Sequence, residues 1–154
     1  MHFSHREIFL KHIAQTSPSP LNIEVEKAEG VYIYDKKGRV YLDFISGIAV
    51  SSVGHQHPEI KKAIIEQLNK YAHIMVYGET IQEPQTAYAQ LITQHLPSTL
   101  NCIYFVNSGA EAIEGSMKLA KGFTQRPEII SFENAYHGST QGALSIMGNE
   151  FFKT

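Results

Sequence analysis

The sequence has little of what marks several large classes of protein. It contains one cysteine, Cys102, so no disulfide can form within the chain, and a reducing cytoplasm is the default expectation. Because Cys102 lies in an apolar run, it is predicted to be a small buried hydrophobe. The apolar runs are short, and the N-terminus MHFSHREIF lacks a basic head before an apolar core. Neither a transmembrane helix nor a secretory signal is therefore predicted.

Basic clusters are also missing from the chain. The formal net charge is −2 and no basic run occurs, so charge does not favour nucleic acid or an anionic membrane as a partner. Internal repeats and low-complexity linkers are absent as well. The 154 residues are 43% hydrophobic and 18% charged, which is typical of one ordinary globular domain or of part of a larger one.

The first third of the chain carries local signals for a helix and a hairpin. Ser4 and Glu7 have the spacing of a capping box, which predicts a short amphipathic helix at the N-terminus. The β-rich runs 31–34 and 40–44 are joined by Asp-Lys-Lys-Gly. This pattern predicts a β-hairpin in which Gly38 takes a positive φ.

The remaining chain alternates between helical and extended patterns. Helices are predicted to begin near Pro58 and Pro84, and the order strand 102–106, helix 110–122, strand 128–132 follows. Strand, helix and strand at this spacing form a βαβ unit, which implies a parallel sheet with a right-handed crossover. Two parallel strands need cover on both faces, so we expect the front of a larger α/β domain.

The stretch NSGAEA, residues 107–112, follows a predicted strand and opens a helix. Free backbone N–H groups and the partial positive charge of a helix start together attract an anion, usually a phosphate. Gly109 lets the backbone approach such a ligand, and Ser108 can add a hydroxyl donor. On spacing alone, a plain turn with Ser108 as N-cap is the favoured interpretation, because Asn-Ser-Gly is a common turn composition. It matches neither GxGxxG nor GxxxxGK[ST], so a nucleotide-binding βαβ module has little support.

A second polar stretch, NAYHGST at residues 134–140, follows the next predicted strand. Tyr136 could reach the same crevice and stack on a flat heterocycle. Taken alone, the stretch favours the alternative in which Tyr136 packs beneath a loop and His137 bonds to the backbone. His55 and His57 form only an H-x-H pair without accompanying cysteines or carboxylates, so no metal site is predicted.

Three segments taken together resemble the front part of the class III aminotransferases of the acetylornithine and ornithine type. They are GVYIYDKKGRVYLDFISGIAVSSVGHQHPEI, YFVNSGAEAIEGSMKLAK and FENAYHGST. The resemblance runs from about Gly30 onward and implies a partial type I pyridoxal-phosphate-dependent transferase fold of the α/β class. Residues 1–56 would form an N-terminal segment with helix, hairpin and glycine-rich connection. Residues 57–154 would begin the large cofactor domain with its parallel strands.

The resemblance also implies pyridoxal 5′-phosphate as cofactor and a role for particular residues. The phosphate would be bound by Ser108, Gly109 and Ala110, and the ring and its wall would be formed by Tyr136, His137 and Gly138. The substrate entrance would be lined by Val53, Gly54, His55, Tyr77 and Gly78. In the family, the Schiff-base lysine and the aspartate facing the ring nitrogen come later in the chain. These 154 residues are therefore expected to hold no catalytic residue and to be inactive alone.

The implied reaction moves an amino group from an amino acid or ω-amine to a 2-oxo acid such as 2-oxoglutarate, in a cytoplasmic homodimer. Ser139 stands where the acetylornithine and ornithine enzymes typically have an arginine. That arginine binds a substrate carboxylate through two parallel hydrogen bonds, which serine cannot do. The identity of the amino donor therefore stays open. The alternative is a non-catalytic remnant that binds a phosphate ligand or a partner subunit.

Overall fold

The computed structural model describes residues 3–75 and 78–153, in two compact units that meet in sequence between Thr80 and Ile81. The architecture is mixed α/β with one small sheet. Its helices are α1 (His5–His12), α2 (Ser46–Ala49), α3 (Pro58–Lys70), α4 (Glu83–Thr93), α5 (Gly109–Thr124) and α6 (Gln141–Ser145). The strands are β1 (Val25–Glu29), β2 (Tyr32–Asp35) and β3 (Val40–Leu42). A predicted domain boundary after Gln56 stays a prediction about the complete protein.

The predicted N-terminal helix and its cap are confirmed. Ser4 Oγ accepts a hydrogen bond of 3.3 Å from the Glu7 amide, and the Ser4 amide donates to Glu7 Oε2 at 2.7 Å. This reciprocal pair satisfies two of the amides that a helix start leaves free. The helices predicted from Pro58 and Pro84 are confirmed as α3 and α4, each with proline in its first turn.

The N-terminal unit is built on a three-stranded antiparallel sheet in the order β1-β2-β3. The predicted hairpin is β2–β3, with Ile33 opposite Tyr41 and a φ of 78° at Gly38. Strand β1 pairs antiparallel with β2 and was not predicted. Its sequence, Val-Glu-Lys-Ala-Glu, carries three charged residues and only one β-branched residue, so it has a weak strand signal.

Asp35 closes the hairpin at its turn. Its Oδ1 accepts hydrogen bonds of 2.9 Å from the amides of Lys37 and Arg39, and its Oδ2 accepts from Arg39 Nε at 2.7 Å and Tyr41 Oη at 3.1 Å. Burial of Asp35 alone would raise its pKa. The bonds from the Arg39 backbone and side chain, from Tyr41 and from Lys37 outweigh that effect and lower the pKa to about 2.

We expect the hairpin to lose stability in acid because of Asp35. A carboxyl with a pKa near 2 when folded and about 3.9 when unfolded stabilises the fold fully above about pH 4. That stabilisation is lost as the pH falls from about 4 to 2. The amide signals of β2 and β3, followed by NMR against pH, should show this loss. Asp35→Asn should weaken the hairpin at neutral pH and flatten its acid transition. Glu26→Gln, at an exposed position of β1, should change neither the stability of the hairpin nor its acid transition. An unchanged transition in Asp35→Asn would contradict the assignment.

The two predicted parallel strands are wrong as strands. Residues 102–106 and 128–132 run without a ladder, and the antiparallel sheet is the only one in the part of the chain that the structure describes. A parallel strand needs a paired neighbour and cover on both faces, and here Tyr104 is 81% and Ile130 98% exposed. Cys102 is exposed for the same reason, which corrects its expected burial.

Candidate functional site

The start of α5 confirms the predicted polar turn. Ser108 is its N-cap in extended conformation, and its Oγ accepts a hydrogen bond of 3.2 Å from the Glu111 amide. Glu111 in turn accepts from the Asn107 amide at 2.7 Å through Oε2. Ser108 therefore acts as the structural cap that spacing alone predicted. Because its oxygen is the acceptor there, its O–H remains able to donate.

The same turn retains free donors. Among the described residues, the amides of Gly109 and Ala110 have no hydrogen-bond acceptor. A Cβ added to Gly109 would have no heavy atom within 4 Å, so open space lies beside these amides. The 16 residues of α5 add the positive end of a helix dipole. Two amides, one hydroxyl and open space fit a phosphate group.

The loop 134–140 packs directly on this turn. Gly138 is buried with a φ of 126°, and a Cβ built on it would lie 2.6 Å from Ala110 Cβ and 2.9 Å from Ala110 Cα. Only a glycine permits so close an approach. The structure thus brings together the two polar motifs that the sequence pointed to, although the strands expected to precede them are not formed.

The same loop carries an aromatic ring, Tyr136, and a histidine, His137. Tyr136 is 62% exposed, its hydroxyl lies 3.2 Å from Ser139 Oγ, and its ring meets Phe152 edge-on with centroids 5.5 Å apart. His137 Nε2 is buried and has no hydrogen-bond partner among the described residues. An exposed ring and an unpaired buried nitrogen, on a loop that packs against a helix start with free amides, are compatible with a flat, phosphorylated ligand.

Glu114 is a residue of this site that sequence reasoning missed. Its Oε1 accepts from Thr140 Oγ1 at 2.6 Å and from the amides of Gly142 and Ala143 at 2.8 and 3.2 Å. The Thr140 hydroxyl, followed by the Ala143 and Gly142 amides, lowers the pKa of this carboxyl. The available signal was its position four residues after Ala110, on the same face of a helix.

The N-terminal unit contains four of the residues predicted for the substrate entrance: Val53, Gly54, His55 and Gly78. Gly54, with a φ of 83°, approaches Gly30 so closely that a Cβ on Gly54 would lie 2.8 Å from the Gly30 carbonyl oxygen. His55 exchanges two backbone hydrogen bonds with Gly30, of 3.0 and 2.7 Å. Val53 beside them is 58% exposed. Gly78 has a φ of 77°, and Tyr77 lies outside the described residues.

His55 also holds a buried carboxylate. Its Nε2 lies 2.7 Å from Asp43 Oδ2, and the Asp43 side chain is 8% exposed. The hydrogen bond from the Ser46 amide, followed by that from His55, lowers the pKa of Asp43. His55 thus has a structural contact of its own at the end of the hairpin, whatever it does toward a ligand.

In residues 3–75 and 78–153, no group of three or more histidine, cysteine, aspartate or glutamate side chains is placed to hold a metal ion. Over the same ranges, no helix has both the length and the apolar character that crossing a membrane requires.

Solved structures of transaminases share this fold. One is the adenosylmethionine-8-amino-7-oxononanoate aminotransferase of Methanocaldococcus jannaschii, with 30% identity and a TM-score of 0.89 over 96% of this chain and 36% of that one. Another is the taurine:2-oxoglutarate aminotransferase of Bifidobacterium kashiwanohense, crystallised with PLP and glutamate, with 28% identity and a TM-score of 0.83. That match covers 99% of this chain and 35% of the other. The fold is therefore that of the front part of a PLP-dependent transaminase.

More particularly, this chain belongs to the class III aminotransferases, whose family model matches residues 13–154. Members of this family depend on pyridoxal phosphate. The acetylornithine aminotransferase of Bacillus subtilis (strain 168) is 39% identical over 134 residues, which are 86% of this chain and 34% of that protein. The Bacillus amyloliquefaciens acetylornithine aminotransferase is equally similar over 56% of its length. The chain thus spans between about a third and somewhat over half of the relatives that it matches.

Proposed function

We propose that this chain forms the phosphate-binding and ring-contacting part of a pyridoxal-phosphate-dependent aminotransferase. The complete protein would move an amino group from an amino acid or ω-amine to a 2-oxo acid such as 2-oxoglutarate. The observation that carries this proposal is the packing of Gly138 on Ala110, which joins the loop that carries the exposed Tyr136 to a helix start with two unpaired amides. By resemblance to the family, the complete protein would work as a cytoplasmic homodimer.

The proposed cofactor cleft consists of Ser108, Gly109, Ala110, Tyr136, His137 and Gly138, and each of them would have a definite part in holding the cofactor. The amides of Gly109 and Ala110 and the hydroxyl of Ser108 would donate to the phosphate, and the helix dipole would favour its negative charge. The Tyr136 ring would stack on the flat heterocycle, and Gly138 would keep the loop against α5. His137 Nε2 offers one further polar contact. When bound, the cofactor supplies an electron sink for the negative charge that forms at the substrate Cα.

The substrate end of the site differs from that of acetylornithine and ornithine enzymes. Ser139 has no guanidinium with which to bind a carboxylate, and its hydroxyl faces Tyr136. The donor carboxylate must therefore be held elsewhere, or the donor differs. The proposed entrance residues are Val53, Gly54, His55, Tyr77 and Gly78, as the resemblance implies.

The purified 154-residue chain should bind pyridoxamine 5′-phosphate but show no saturable transamination. Binding is expected because the phosphate donors and Tyr136 are present. Turnover is not expected, since the family's imine-forming lysine and ring-nitrogen aspartate lie later in the chain. Ligand fluorescence and ³¹P NMR measure the binding, and a coupled assay with amino donors and 2-oxoglutarate measures turnover.

A pair of charge variants tests where the phosphate binds. Gly109→Asp places a carboxylate among the phosphate donors and should weaken binding at least tenfold, a change of about 1.4 kcal/mol. An acidic residue at a helix start is itself favourable for the helix, so unfolding would not explain the loss. Gly109→Asn, which has nearly the same size as Gly109→Asp but no charge, is the matched control. Equal affinities of both variants, or robust turnover by the chain, would contradict the proposal. Phosphate binding without an effect of the pyridoxyl ring would favour the non-catalytic alternative.

A further inference from the structure

Two contacts join α5 to the loop that carries Tyr136. The first is the close approach of Gly138 to Ala110. The second is the Glu114 carboxylate, which accepts hydrogen bonds from the Thr140 side chain and from the amides of Gly142 and Ala143. Ala110 and Glu114 are four residues apart, so the two contacts lie about one helical turn apart on the same face of α5.

Two points of attachment constrain the loop more than one does. With the Gly138 contact alone, the loop could pivot about Ala110 and carry the Tyr136 ring toward or away from the free amides. The Glu114 bonds fix the chain on the far side of Ser139 and remove that freedom. A Cβ built on Gly142 would lie 2.8 Å from Glu114 Cδ, so the carboxylate is seated directly on the loop backbone.

The seat of Glu114 is specific for an acceptor. One oxygen, Oε1, receives all three bonds, and each of them comes from an N–H or O–H group. The amides of Gly142 and Ala143 lie in the first turn of α6, where no preceding residues of the helix can accept from them. A lowered pKa of the carboxyl agrees with this arrangement.

We infer that Glu114 is a positioning residue of the cofactor cleft, which holds the loop that carries Tyr136 against the phosphate-binding turn through its bonds to residues 140–143. The inference rests on the proposed function, since it is that function which gives the ring and the turn a shared ligand. The hydrogen bonds of Glu114 go to Thr140, Gly142 and Ala143, outside the residues proposed to bind the phosphate. Glu114 would therefore act on the ligand only by positioning the loop that carries Tyr136.

The test compares a ligand that spans both parts of the cleft with one that uses the turn alone. Pyridoxamine 5′-phosphate needs the ring and the turn, and inorganic phosphate needs only the turn. Glu114→Ala should lower the affinity for pyridoxamine 5′-phosphate at least tenfold and remove its induced near-UV circular dichroism, while phosphate binding by ³¹P NMR stays within twofold. Glu114→Gln keeps an acceptor oxygen and should restore both signals to a large extent. Glu128→Ala, an exposed glutamate beyond α5, should leave all of them unchanged.

Hydrogen exchange gives a readout that needs no ligand. The amides of Gly142 and Ala143 should exchange faster in Glu114→Ala and near the original rate in Glu114→Gln. An equal loss of phosphate and pyridoxamine 5′-phosphate binding in Glu114→Ala would overturn the inference, because the residue would then support the turn itself. Unchanged binding and exchange would overturn it too. If the unmodified chain binds neither ligand, the proposed function fails, and exchange at Gly142 and Ala143 still decides whether Glu114 holds the loop.

Discussion

Gly138→Ala should abolish retention of pyridoxamine 5′-phosphate by this chain. The added methyl group would lie 2.6 Å from Ala110 Cβ and 2.9 Å from Ala110 Cα, which is closer than atoms in a folded protein approach. Position 138 also has a φ of 126°, which residues with a Cβ rarely adopt. Overpacking of this kind costs about 1–3 kcal/mol, so the loop should move off α5 and take Tyr136 with it. Equilibrium dialysis of the ligand and its induced circular dichroism measure the effect.

A second glycine provides the control for this variant. Gly122 lies in α5 with no heavy atom within 4 Å of an added Cβ and without a positive φ. Gly122→Ala should leave ligand binding unchanged and stabilise the helix by about 0.5–1 kcal/mol. Retention of full affinity by Gly138→Ala would show that ligand binding does not need the contact between the loop and Ala110, and this would contradict the proposed site.

The isolated chain should bind hydrophobic dyes strongly and associate with itself. Large apolar side chains are exposed in both units, and among the described residues the buried hydrophobic ones are Ala143 and Met147. Contiguous exposed apolar surface of this kind is rare in stable monomers. Among the large apolar side chains of the described residues, the most exposed are Ile130, Ile81, Phe44, Ile48, Phe123, Phe132 and Tyr104.

Substitutions on α5 localise this effect. Leu119 is 72% and Phe123 87% exposed, and both line an apolar cleft with Tyr104. Leu119→Lys with Phe123→Lys should reduce dye binding while the helix content stays the same, since lysine is a good helix former. Dye fluorescence, circular dichroism and sedimentation velocity give the three readouts. A chain that stays monomeric and does not bind the dye would contradict the prediction of an exposed apolar surface.

Signals that act within a few residues allowed a correct prediction of much of the fold. The Ser4 and Glu7 capping box, proline in the first turn of α3, and Ser108 as the cap of α5 all appear where spacing placed them. Each is decided by bonds between neighbours in sequence, so no distant partner can change it. Gly38 in the hairpin turn is of the same kind.

Features that depend on distant partners could not be read from the sequence. The runs 102–106 and 128–132 have the composition of buried strands, but a strand exists only where another strand pairs with it. The role of Glu114 was hidden for a similar reason, because an isolated glutamate on a helix usually has its charge in solvent. Its partners lie 26 to 29 residues away along the chain. The packing of Gly138 on Ala110 likewise emerges only when both segments are folded.

The contacts around Gly30 have a consequence for building chimaeras between relatives. Gly54 and His55 pack on Gly30, and His55 binds Asp43. The hairpin and the segment that follows it are therefore joined by contacts that depend on residues from both. A crossover point between Asp43 and Gly54 would join halves from different parents across these contacts and mismatch them. A crossover between Thr80 and Ile81, where the chain divides into its two units, leaves all of them to a single parent. Gene shuffling within this family should therefore tolerate the later junction and select against the earlier one.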